Sequence, residues 1–189
     1  MDEIQLLSGI LAKTGDLVAG VPAEAGGRPT PCPEYDVADM VRHLVGWVRS
    51  FEAAANGRTF EGDPSVVEVH DDPAAQFRAS ADGVVAGWRE HGFDRAVAMM
   101  GGAQPAELVF NMTVMEYMTH GWDLAVATGQ PVPYSEAEAA EVLRRAQATL
   151  PPQYRGHGMP FGEIVPVPDG APAIDRLAGF MGRDPAAVR

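Results

Sequence analysis

"VMEYMTHGWDLAVATG", residues 114–129, decides how the rest of the chain is read. Its apolar residues recur at helical spacing, and it reads as the end of an amphipathic helix closed by Gly129. Yet Glu116 and His120 stand four residues apart among Met, Val and Ala. At about 100° per residue, positions 112, 116, 120, 123 and 127 share one stripe: Met112, Glu116, His120, Asp123 and Ala127. A second stripe, Leu108, Met115, Met118 and Trp122, is apolar. Pro105 and Gly129 mark the helix ends, so Glu116 and His120 fall in its middle. A lone carboxylate buried there costs several kcal/mol unless it is paired or metal-bound.

Outward from this helix, the spacing predicts a helix over 3–21, carrying Leu7, Ile10, Leu11, Leu17, Val18 and Val21. "AGGRPTPCPEYD" breaks it, and Asp36 is an N-cap for a second helix over 37–56. Residues 58–71 read as a polar loop. Asp72-Pro73 opens a third helix to about 91, with Phe77, Ala81, Val84 and Trp88 on its inner side. Residues 94–104 read as a short extended piece or loop. Ser135 and Glu138 form a capping-box pair for a fifth helix over 136–149. Residues 151–171 are rich in Pro and Gly and read as irregular, and Ile174, Leu177, Phe180 and Met181 predict a short C-terminal helix. The expected fold is all-α: a four-helix bundle with an additional fifth helix and a short tail outside it, in a single domain over 1–189.

Hydrophobic residues make up 46% of the 189, too many for a disordered chain. The formal net charge of −12 opposes a nucleic-acid backbone or an anionic membrane. Cys32 is the single cysteine, so no intramolecular disulfide can form. No signal-peptide pattern opens the chain, and no apolar run approaches the ~20 residues of a membrane span. The expectation is a cytoplasmic protein with no nucleic-acid or membrane partner.

Two side chains at i and i+4 on a helix can reach a common point, the geometry of helix-borne metal ligands. A third ligand has to come from a facing helix. His43 in "MVRHLVGW" is the best candidate, because it lies beside the apolar stripe of the second helix. His70, His91 and His157 fall in loops or at a helix end and fit a core cluster less well. Asp123 is spaced to accept the second ring N–H of His120. The structural alternatives are a Glu/His pair on a solvated face, a hydrogen-bonded His43, and Asp123 as a surface charge or as a cap on a neighbouring helix. Trp47, Trp88 and Trp122 and the methionines at 112, 115 and 118 read as packing. Cys32, between two prolines and with no histidine adjacent in sequence, reads as a turn residue rather than a nucleophile.

"PTPCPEYDVADMVRHLVGW" (29–47) and "EYMTHGWDLAVATGQPVP" (116–133) resemble the two signature regions of the DinB-like metal-binding proteins. That group includes stand-alone relatives of the N-terminal domain of mycothiol-dependent maleylpyruvate isomerase. The ending "FGEIVPVPDGAPAIDRLAGFMGRDP" (161–185) is similar to the close of those stand-alone members. The resemblance implies a DinB-like bundle with a divalent metal, most often Zn²⁺, on His43, Glu116 and His120. It also implies a low-molecular-weight thiol such as mycothiol as cosubstrate. The isomerase's additional C-terminal domain is not visible after the fifth helix. The metal site therefore carries over and the isomerisation does not.

Three protein ligands leave one coordination position open, the pattern of catalytic zinc. The expected function is a thiol-dependent transferase or isomerase-like enzyme, with the loop around 151–168 (Tyr154, His157, Phe161) over the mouth of the site. The alternative is a non-catalytic metal-bearing bundle that binds a small ligand or a partner, including a second copy of itself. A fourth ligand from His70, His157 or Cys32 would favour a closed, structural site.

Overall fold

A computed structural model describes residues 2–99, 101–156, 159 and 161–188. The helices are α1 (Glu3–Ala19), α2 (Val37–Ala55), α3 (Pro73–His91), α4 (Ala106–Thr128), α5 (Glu136–Thr149) and α6 (Ala173–Phe180). Two strands, β1 (Ala96–Met99) and β2 (Gly102–Pro105), pair antiparallel between α3 and α4. The extended piece expected over 94–104 is thus a hairpin, turning at Gly101 with φ +76°. Positive φ is open to glycine at little cost.

The predicted punctuation is built as chemistry. Asp36 accepts from Asp39 N at 2.8 Å and Asp72 from Ala75 N at 2.9 Å. Ser135 and Glu138 form a reciprocal capping box, and Gly129 closes α4 in the left-handed region. Contacts run α1 to α3, α3 to α2, α2 to α4 and α4 to α1, which closes a four-helix ring. α5 lies outside on α4, and α6 packs mainly on α5. The core takes Leu7, Ile10, Leu44, Phe51, Phe77, Trp88, Phe110 and Tyr117, each at most 2% exposed.

The amphipathic reading of 114–129 needs correction. α4 touches α1, α2, α5, α6 and both strands, so it is covered on nearly every side. Asp123 is not a surface charge: it is wholly buried. The half-buried residues in the first part of α4 are Leu108, Met112 and Glu116, spaced by four. Helices buried all round are the case in which a periodic stripe carries least information. No helix among the described residues is long and apolar enough to cross a membrane.

Candidate metal centre

The cap at Asp36 sets the start of α2 and with it the height of His43, two turns further on. The turn before α2 is pinned by Thr30, whose hydroxyl donates to Tyr35 O at 2.8 Å and accepts from Cys32 N at 3.2 Å. This puts the Tyr35 ring 4.8 Å, centroid to centroid, from His43, which also has Trp47, one turn along α2, at 6.0 Å. On α4, Glu116 and His120 lie one turn apart, facing α2. Gly121 lets this part of α4 pack closely, since a Cβ there would meet the Tyr134 hydroxyl at 1.9 Å.

His43, Glu116 and His120 converge: one ligand atom from each lies within 4.8 Å of the others. His43 Nε2 contacts Glu116 Oε1, and His120 Nε2 is 3.6 Å from the same oxygen. Burial works against the Glu116 carboxylate. The charges of His120 and His43, the hydrogen bond from His43 and the charge of Arg183 outweigh it and hold the pKa at about 2. His120 Nδ1 is 3.0 Å from Asp123 Oδ2. Burial also works against Asp123, but its bond to His120 and the charge of Arg183 hold its pKa below the ordinary value. Asp123 is therefore a carboxylate, which can only accept, so His120 donates to it through Nδ1 and turns its Nε2 toward Glu116.

The cluster opens into a cavity of about 190 Å³. Tyr35, Trp47, Met112, Met115, Phe161 and Met181 supply much of its apolar wall. Trp47, Met112 and Met115 thus face the site rather than serving only as core packing. Thr119 lines it too; it is 2% exposed, and its hydroxyl has no hydrogen-bond partner among the described residues. An unpartnered buried hydroxyl is uncommon, since most buried polar groups are hydrogen-bonded.

Cys32 also lines the cavity, and its Sγ groups with His120 and Asp123 rather than with the His43–Glu116–His120 set. The fold thus brings a histidine beside Cys32 that the sequence did not place there. Burial pushes the thiol up, the charge of Arg183 only partly offsets this, and Asp123 adds to it, so Cys32 stays protonated. His70 and His91 are exposed, away from the cluster, and His157 lies outside the described residues. Of the expected mouth residues, Phe161 reaches the cavity while Tyr154 is 50% exposed.

Sequence reasoning missed Arg183. Its guanidinium binds Asp123 Oδ2 at 2.8 Å through Nη2 and Oδ1 at 3.2 Å through Nε. It is the one basic residue in "AGFMGRDP", just past the last apolar helix, and that isolation was the only available signal.

A family model described as the mycothiol maleylpyruvate isomerase N-terminal domain matches residues 7–125, more than half of the chain. The chain belongs to that family. Two uncharacterized proteins from two strains of Mycobacterium tuberculosis are each 33% identical to it over 171 residues, 88% of this chain and 90% of theirs. Among solved structures, a crystal structure of the mycothiol-dependent maleylpyruvate isomerase aligns with TM-score 0.58 and 15% identity. The alignment covers 84% of this chain and 72% of that one. A histidine-to-alanine mutant of that enzyme aligns with TM-score 0.54 and 16% identity. At such identity the likeness is one of fold, and it bears out the DinB-like bundle. The family match contains His43, Glu116, His120 and Asp123; Phe161, Met181 and Arg183 lie beyond it.

Proposed function

We propose that this chain is a thiol-dependent transferase or isomerase-like enzyme built around a divalent metal, zinc foremost, on His43, Glu116 and His120. The observation that carries it is the convergence of these three donors at the wall of a cavity. The donor set fits such an ion. Two imidazoles can be neutral, the carboxylate supplies one negative charge, and the proton on His120 Nδ1 faces Asp123, away from the cluster. The unpartnered Thr119 hydroxyl beside it agrees with a site made for a ligand.

A divalent ion held there would lower the pKa of a coordinated thiol and so favour the nucleophilic thiolate near neutral pH. The chain's own residues do the rest. Tyr35 and Trp47 pack against the His43 ring, and Asp123 fixes the tautomer of His120. Met112, Met115, Phe161 and Met181 exclude water from the space in which thiol and electrophile would meet. Neither Cys32 nor His70 joins the three donors, which favours an open fourth position. Support for mycothiol as the thiol comes from the family to which the chain belongs.

The test is elemental analysis after dialysis, joined to a screen of mycothiol addition to neutral and anionic electrophiles. One metal per chain and a thiol-dependent rate, both lost in His120→Ala, are expected. Metal-free wild-type protein sinks the metal centre; a loaded protein that accelerates no addition leaves a binding bundle instead.

A further inference from the structure

The site has a component that comes from the C-terminal segment. We infer that Arg183 is a positioning residue for His120, acting through Asp123, so that residues 161–183, braced by Arg155, tune a centre whose donors all lie in the bundle. This rests on the metal centre proposed above.

Arg183 is held in place from its own side. Its backbone N bonds Ala178 O at 2.9 Å, and its Nη1 donates to Met181 O at 2.7 Å. The segment before it is knitted to the end of α6. Val165 N bonds Gly179 O at 2.9 Å, and Arg155 donates to Phe180 O at 2.7 Å with its guanidinium 4.2 Å over the Phe180 ring. Gly182, at φ +87°, lies against Gly162, where a Cβ would come within 3.0 Å of its Cα. The guanidinium therefore reaches Asp123 from a fixed support.

Asp123 is wholly buried, and the Arg183 side chain is 10% exposed. The fork engages both carboxylate oxygens, which stops the carboxylate turning about its own axis. Oδ2 is thereby kept facing His120 Nδ1 at 3.0 Å. Arg183 Nη2 lies 3.5 Å from that same nitrogen, so the three groups form one compact unit. A carboxylate that fixes the ring of a metal-binding histidine commonly changes metal affinity 10–100-fold when lost. Arg183 fixes that carboxylate.

The experiment compares wild-type protein with Arg183→Met, Arg183→Lys, Asp123→Asn and the Asp123→Asn/Arg183→Met double variant. Two readouts are taken: ring-nitrogen NMR of His120 in metal-free protein, and Co²⁺ affinity with its visible d–d spectrum. A single Nδ1–H tautomer is expected in the wild type and a mixture in Arg183→Met. Co²⁺ affinity should fall roughly 10–100-fold with an altered spectrum, and Arg183→Lys should recover part of it. In the Asp123→Asn background, loss of Arg183 should cost little more, because its target is gone. The double variant leaves no unpaired buried carboxylate and stands in if Arg183→Met does not fold. An unchanged tautomer and unchanged Co²⁺ binding in Arg183→Met overturn the inference, as do fully additive losses in the double variant. Failure of the wild type to take up Co²⁺ overturns the metal centre alone; the metal-free spectra still decide the role of Arg183.

Discussion

Glu116 and Glu138 are the same residue in two different settings. Glu138 sits at the start of α5, where Lys13 of α1 reaches it at 2.5 Å, Ser135 N donates at 2.8 Å and Ser135 Oγ at 2.6 Å. Its charge is matched by an ammonium and by the open end of a helix, and it bolts α5 to α1. Glu116 sits mid-helix, with no lysine against it, and its close partners are two imidazoles at a cavity wall. A buried carboxylate with a complete set of partners is a fastener. One whose partners are themselves metal-capable, beside open space, is a candidate site.

The sharpest way to break this contrast is Glu116→Gln. It should leave the protein folded and abolish stoichiometric metal after dialysis, read by elemental analysis and a melting curve. Retained metal would make Glu116 a fastener too. Next in size, Gly121→Ala should destabilise by about 1–3 kcal/mol, because the new methyl drives into the Tyr134 hydroxyl. Urea denaturation reads that loss. Glu138→Gln should cost about 1–2 kcal/mol through the lost cap and ion pair, and leave metal content unchanged.

A smaller effect should appear with pH. The folded Glu116 pKa of about 2 lies below its ordinary 4.5, and Glu138 is also lowered, by its bonds to Lys13 and Ser135 against the opposing effect of burial. Depressed carboxyls contribute stability that is present above about pH 4.5 and lost as pH falls through the folded pKa. Metal-free protein should therefore weaken progressively from about pH 4.5 toward 2. That slope should be shallower in Glu116→Gln, as urea midpoints across the range would show. The smallest change is expected from Cys32→Ser, which should keep full metal content, because Cys32 groups with His120 and Asp123 but not with the full donor set. Loss of metal there would move the centre toward the cysteine.

Much of the helical order was legible in the chain. Asp36, Asp72-Pro73, Ser135 with Glu138, and Gly129 are local signals, because capping and left-handed closure involve only neighbouring residues. The i,i+4 spacing of Glu116 and His120 is equally local. The hairpin over 96–105 was less so, since four-residue strands show little alternation. The burial of α4 was illegible, because a helix surrounded by partners has no single polar face from which to read its orientation.

The sequence by itself determined where the helices start and stop, and that a carboxylate and an imidazole share one stripe of α4. Tertiary structure alone decided which four helices close the ring and that His43 meets that stripe. It also decided that Cys32 comes beside His120, and that Arg183 reaches back to Asp123 across 60 residues of sequence. Caps and periodicity are set within one or two turns of chain. Convergence depends on how whole helices pack, and that is fixed by the summed burial of side chains far apart in sequence.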